Sequence, residues 1–91
     1  MVIYAIPGLG TTEKLYKNLN IKDVEIIVLK WPIPSKNDTM QSYAHKFLPQ
    51  IKTDQPFCLL GVSFGGMLCC ELSEFISPEK IILISTSKYR F

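Results

Sequence analysis

The sequence is poor in metal ligands and in reactive thiol patterns. One histidine and three cysteines occur in 91 residues, without a Cys-x-x-Cys or His-x-x-x-His spacing, so neither a metal site nor a cofactor is expected. Cys58, Cys69 and Cys70 are odd in number, and the adjacent pair would diverge on a helix. A disulfide framework is therefore excluded, and the three read as reduced thiols, with no histidine or basic cluster beside them to make a nucleophile. Runs of one charge are also missing. Ten basic and eight acidic side chains give a net charge of +2 spread along the chain, so neither nucleic acid nor an anionic membrane surface is an expected partner. No apolar run approaches the roughly 20 residues of a membrane span. Residues Met1 to Ile6 are apolar but short, lack a basic flank and run into Pro7-Gly8, which reads as a strand and not a leader; a cytoplasmic location is expected. Internal repeats and low-complexity linkers are absent, and 47% hydrophobic content fits one globular domain over residues 1–91.

What is present is an alternation of apolar runs and helical patterns. Val2 to Ile6 predicts a first strand, closed by Pro7-Gly8-Leu9-Gly10. Thr11 or Thr12 can cap a short helix carrying Leu15 and Leu19, and Val24 to Leu29 predicts a second strand. Lys30 to Ser35 holds two prolines and reads as a loop. Asp38, with Gln41 three residues on, predicts a capped helix start, followed by Met40, Tyr43, Ala44, Phe47, Leu48 and Ile51 at helical spacing. Phe57 to Val62 predicts a third strand. Leu68, Leu72, Phe75 and Ile76 mark the inner face of a further helix stopped by Ser77-Pro78, with Glu71 and Glu74 outward, and Ile81 to Ile84 predicts a fourth strand. Strands without polar alternation, separated by helices, belong to an α/β fold with a parallel sheet covered on both faces. The expected strand order is 2-1-3-4, with something needed to cover the outer edge of the fourth strand.

Between the third strand and its helix lies Gly61-Val62-Ser63-Phe64-Gly65-Gly66. At average glycine usage a Gly-x-Ser-x-Gly arises by chance in roughly a few per cent of chains this long, so the pattern alone is weak. Its setting is what carries weight: a strand runs in and a helix runs out, as a nucleophile elbow requires. The turn would hold Ser63 strained at the strand's carboxyl end, with Gly61 and Gly65 permitting close approach. Helix entry would aim backbone N–H groups, that of Phe64 included, at a developing oxyanion. The alternative is an ordinary turn with a capping serine, and the flanking glycines favour the nucleophile. A dinucleotide-binding reading of Pro7 to Gly10 is disfavoured by Glu13, where a third glycine is needed, and by Leu29-Lys30, where an acid would hold a ribose.

With Pro7-Gly8-Leu9-Gly10 after the first strand and the elbow after the third, the chain resembles the α/β-hydrolase superfamily, specifically small esterase-like and thioesterase-like serine hydrolases. The resemblance covers the chain from first to fourth strand. It implies that Ser63 is the nucleophile, that the N–H groups of Leu9 and Phe64 form the oxyanion hole, and that the substrate is a small carboxylic ester or thioester. Trp31 and Pro32, after the second strand, either line a substrate pocket or cover the sheet edge.

The family places its acid and histidine downstream of the serine. Beyond Ser63 this chain has no histidine and no aspartate, only Glu71, Glu74 and Glu79 as acids. His45 lies upstream, about 130 degrees from its helix's apolar face at 100 degrees per residue, and reads as solvent-facing. By the resemblance, the 91 residues correspond to the amino-terminal half of a hydrolase and are expected to be inactive alone. The competing expectation is a non-catalytic binding or assembly module, related to hydrolases, that pairs with itself or another chain through the edge strand Ile81 to Ile84.

Overall fold

A computed structural model describes residues 1–8 and 23–84. Its four strands are β1 (Val2–Ile6), β2 (Glu25–Val28), β3 (Phe57–Val62) and β4 (Ile81–Ile84). All pair in parallel, in the order β2-β1-β3-β4. The fold is α/β, as the apolar strands require: β1 and β3 are central, and their backbone groups are paired on both sides. The helices are α1 (Met40–His45) and α2 (Phe64–Leu72). The helix expected near residues 11–20 lies outside the described residues.

The sheet's two faces carry two apolar clusters. Tyr4, Ile6, Phe57 and Leu59 pack with Ala44 of α1, with Phe47 just beyond its end, and with Leu68, Cys69 and Leu72 of α2. Side chains alternate along a strand, so Ile3, Ala5, Cys58, Leu60 and Val62 form the second cluster on the opposite face. Phe47, Ile6, Leu59, Leu68, Leu72 and Cys69 are the largest fully buried side chains. Burial pushes the Cys69 thiol up to about 12, with the neighbouring Cys70 adding to the shift. All three cysteines are free, and Cys70 alone is exposed.

Three local expectations are corrected. First, the cap of α1 is one residue later than Asp38. Thr39 Oγ1 accepts from the Ser42 N–H at 3.1 Å, and Ser42 Oγ accepts from the Thr39 N–H at 2.8 Å, a reciprocal capping box. Asp38 is drawn elsewhere, to Lys46. The helix is also shorter than its apolar spacing implied, because Pro49 cannot donate to the carbonyl of His45 and its ring would collide with it; a 3-10 turn at Leu48–Gln50 follows. Second, α2 ends at Leu72, with the Ser73 hydroxyl donating to the Cys70 carbonyl at 2.6 Å. Phe75 is consequently exposed, while Ile76 still packs on the core. Third, β4 is not covered as its composition predicted. Ile82, Leu83 and Ile84 are 39%, 57% and 41% exposed, and among the described residues β4 is an edge strand paired only with β3.

Candidate active site around Ser63

The register brings the ends of the two central strands together. Ile6 pairs with Gly61, and Val62 pairs with Ile84. Gly8 follows β1 so closely packed on β3 that a Cβ there would lie 3.2 Å from both Val62 Cγ1 and the Val62 carbonyl oxygen. Leu9, the other expected oxyanion donor, lies outside the described residues.

Ser63 leaves β3 with φ 57° and ψ −118°. Among the described residues only Asp23 shares a positive φ without being glycine. For a residue bearing a Cβ this backbone conformation is costly, by about 1–3 kcal/mol. Two hydrogen bonds hold it. The Ser63 N–H donates to the Ile84 carbonyl at 2.8 Å, extending the sheet ladder by one residue, and the Ser63 carbonyl accepts from the Gly66 N–H at 2.9 Å. The side chain is exposed and makes no capping bond to its helix. An ordinary capping serine, in extended conformation with its oxygen on the first-turn N–H groups, is therefore not what stands here.

The glycines explain how the turn closes. A Cβ on Gly61 would sit 2.4 Å from the Gly65 carbonyl oxygen, and one on Gly65 would sit 2.5 Å from the Ile6 carbonyl oxygen. Both obstacles are backbone, so the first turn of α2 can press onto the ends of β1 and β3 only if these two positions lack side chains. Phe64 opens α2, where first-turn N–H groups have no partner within the helix. Its N–H is adjacent to the Ser63 hydroxyl along the chain.

The Phe64 ring also forms part of a groove. It stacks on Trp31 with ring centroids 6.0 Å apart and planes 6° apart. Trp31 in turn stacks on Tyr43 at 6.2 Å and meets Phe47 edge-on at 5.9 Å. The groove is about 380 Å³ and is lined by Trp31, Pro34, Met40, Tyr43 and Phe64, with Ser35, Asp38 and Thr39 at polar positions. Pro32 does not line it; the Pro32 carbonyl accepts from the Tyr43 hydroxyl at 2.7 Å. Met40, Tyr43 and Pro34 were not foreseen here. For Met40 and Tyr43 the signal was ambiguous, since an apolar residue at helical spacing serves a core or a groove equally well, and Pro34 read only as a loop residue.

The loop that carries Trp31 is tied at both ends. Gln50 bonds the N–H and carbonyl of Lys30 at 2.9 and 2.8 Å. Lys46 Nζ donates to the Ile33 carbonyl at 3.0 Å, to Ser35 Oγ at 2.7 Å and to Asp38 Oδ2 at 2.6 Å. Asp38 also accepts from the Ser35 N–H at 2.6 Å and the Ser42 hydroxyl at 2.9 Å. Hydrogen bonding from Lys46, and next from the Ser35 N–H, lowers the Asp38 pKa to about 2. Burial, and then the Asp38 charge, raise that of Tyr43.

His45 is exposed, as its helical position implied, with its ring edge-on to Phe75 at 4.9 Å. Phe75 lies beyond the far end of α2, whose nine residues span about 13 Å at 1.5 Å per residue. His45 is thus not brought to Ser63. Among the described residues no cluster of histidine, cysteine, aspartate or glutamate could hold a metal ion, and no helix is long and apolar enough to cross a membrane. Compared with protein-family models and with curated proteins, the chain matches none.

Proposed function

We propose that Ser63 is the nucleophile of a serine hydrolase of α/β-hydrolase type, acting on a carboxylic ester or thioester. The observation that carries this reading is the Ser63 backbone at φ 57° between Gly61 and Gly65, with its hydroxyl free of any capping role. Strain of this kind persists where the surroundings over-determine it, and such positions cluster at reactive sites. In the proposed reaction Ser63 Oγ forms a bond to the substrate carbonyl carbon. The oxyanion is held by the N–H of Phe64, with that of Leu9 as its partner. The bond to the leaving alcohol or thiol then breaks, and the leaving group takes up the proton lost by Ser63. Water cleaves the resulting acyl-serine, releasing the acid and restoring the hydroxyl.

A serine hydroxyl at neutral pH needs a base to accept its proton. No side chain after Ser63 in these 91 residues is a histidine, and His45 is turned to Phe75. In this reading the base and its orienting acid come from outside the 91 residues, which alone turn substrate over slowly or not at all. The test is covalent labelling of the protein from its native cells with a fluorophosphonate probe. One adduct is expected, on Ser63, with fluoride expelled; labelling that persists in Ser63→Ala removes the assignment.

A second reading has its own observation. Ile82, Leu83 and Ile84 leave apolar side chains exposed on β4, and a strand edge with such side chains is a template for pairing. In that reading the domain is an assembly module whose β4 edge joins another strand, that of a second copy included. Sedimentation equilibrium decides: a concentration-dependent dimer supports it, and a monomer throughout removes self-pairing.

A further inference from the structure

The groove beside Ser63 has a chemical character of its own. Its walls are the rings of Trp31, Tyr43 and Phe64 with Met40 and Pro34. The hydroxyls and carboxylate that reach it are already engaged within the protein. Tyr43 Oη donates to the Pro32 carbonyl, Thr39 Oγ1 accepts from the Ser42 N–H, and Ser35 Oγ accepts from Lys46. Asp38 is occupied by Lys46, the Ser35 N–H and the Ser42 hydroxyl. None of the lining residues is a cation. A ligand therefore meets an apolar surface bordered by the Asp38–Lys46 ion pair, whose members are already bonded to each other, and the cost of desolvating a free carboxylate there favours a neutral aliphatic chain.

Position ties this surface to the reaction. Phe64 follows Ser63 directly in the chain and stacks on Trp31, so the groove wall begins one residue from the reacting hydroxyl. The cavity of about 380 Å³ equals the liquid volume of about a dozen water-sized groups at roughly 30 Å³ each. Part of an open groove stays with solvent.

We infer that this groove is the acyl-chain site of the Ser63 centre and selects esters of unbranched aliphatic acids of medium length, roughly eight carbons, the chain lying against Trp31, Tyr43 and Phe64. The inference rests on the hydrolase reading for its link to Ser63, but alkyl binding needs no base and is measurable on the 91-residue chain. Met40 is the side chain best placed to control it. It packs partly buried against the core and borders the groove.

Trp31 is the only tryptophan, so its fluorescence reports occupancy without a label. Methyl esters of straight-chain acids from four to twelve carbons are titrated against the chain, with sodium octanoate as the charged comparison. Apparent affinity should rise about fourfold per methylene, the equivalent of about 0.8 kcal/mol for a buried CH₂, and level off near eight carbons. Octanoate should bind at least tenfold more weakly than methyl octanoate. Met40→Lys should weaken the ester response at least tenfold, while Ile33→Lys, altering a side chain 88% exposed and outside the groove, should leave it unchanged. The length series on the unaltered chain stands even if Met40→Lys fails to fold. No Trp31 response at any length overturns the assignment, and so does an affinity still climbing at twelve carbons. Failure of Ser63 labelling with the length series intact removes the hydrolase reading and the acyl-site role together, leaving an alkyl-binding groove; labelled Ser63 with a silent Trp31 removes the groove assignment alone.

Discussion

Replacing Ser63 by glycine is expected to stabilise the domain relative to Ser63→Ala. The serine N–H and carbonyl are held by Ile84 and Gly66, so all three residues must adopt φ near 57° at this position. Alanine keeps the Cβ and its steric conflict, which costs about 1–3 kcal/mol. Glycine is free of the conflict but loses about 0.5–1 kcal/mol through the greater freedom of its unfolded chain. The difference favours Ser63→Gly over Ser63→Ala by about 1 kcal/mol, which for a domain of this size is about 4–8 °C in melting temperature. Ser63→Ala itself should match the unaltered chain within about 0.5 kcal/mol, since the hydroxyl makes no capping bond. Urea denaturation of the three proteins, with unchanged m-values, measures both differences. If Ser63→Gly instead falls below Ser63→Ala by the ordinary cost of a glycine, the strain is absent and the argument for a strained elbow fails with it.

Two further outcomes follow from the same region. Gly65→Ala should destabilise by about 2–3 kcal/mol or more, because its Cβ would meet the Ile6 carbonyl at 2.5 Å. The adjacent Gly66→Ala should be neutral or gain up to about 1 kcal/mol of helix propensity, since the tightest contact of its Cβ is the exposed Leu83 side chain at 3.2 Å, which can give way, and the Gly61 carbonyl oxygen at 3.5 Å is at ordinary contact distance; denaturation curves distinguish the pair. For pH, the Asp38 carboxyl is depressed in the folded state, from 3.8 to about 2. Its contribution is therefore complete above about pH 4 and lost as pH falls toward 2. Trp31 fluorescence should report loosening of the loop in that window, and Lys46→Met should abolish the transition.

Strand order, the helix between β3 and β4, and the position of Ser63 were legible in the sequence, because branched apolar runs and glycine punctuation are local signals. The end of α1 was not read correctly, because the apolar spacing running on to Ile51 outweighed Pro49, which cannot donate to the His45 carbonyl. Nor was the cap, since Asp38, Thr39, Gln41 and Ser42 offer several capping pairs, and only the position of Lys46 across the loop draws Asp38 away from the helix. Trp31 stood as pocket wall or edge cover with nothing local to choose between them. Its stacking on Phe64 and Tyr43 joins residues more than twenty positions apart in one case and twelve in the other, which periodicity within an element does not register.

The sequence by itself determined that a parallel sheet would deliver a serine between glycines to the carboxyl end of a central strand, because apolar runs choose strands and Gly61 and Gly65 permit the turn. Only the tertiary structure decided that Ser63 carries a positive φ, that its hydroxyl is not spent on a cap, and that β4 leaves its apolar side chains exposed. Those properties depend on contacts between distant segments: Ile84 on the Ser63 N–H, Ile6 against Gly65, and β3 as the partner of β4.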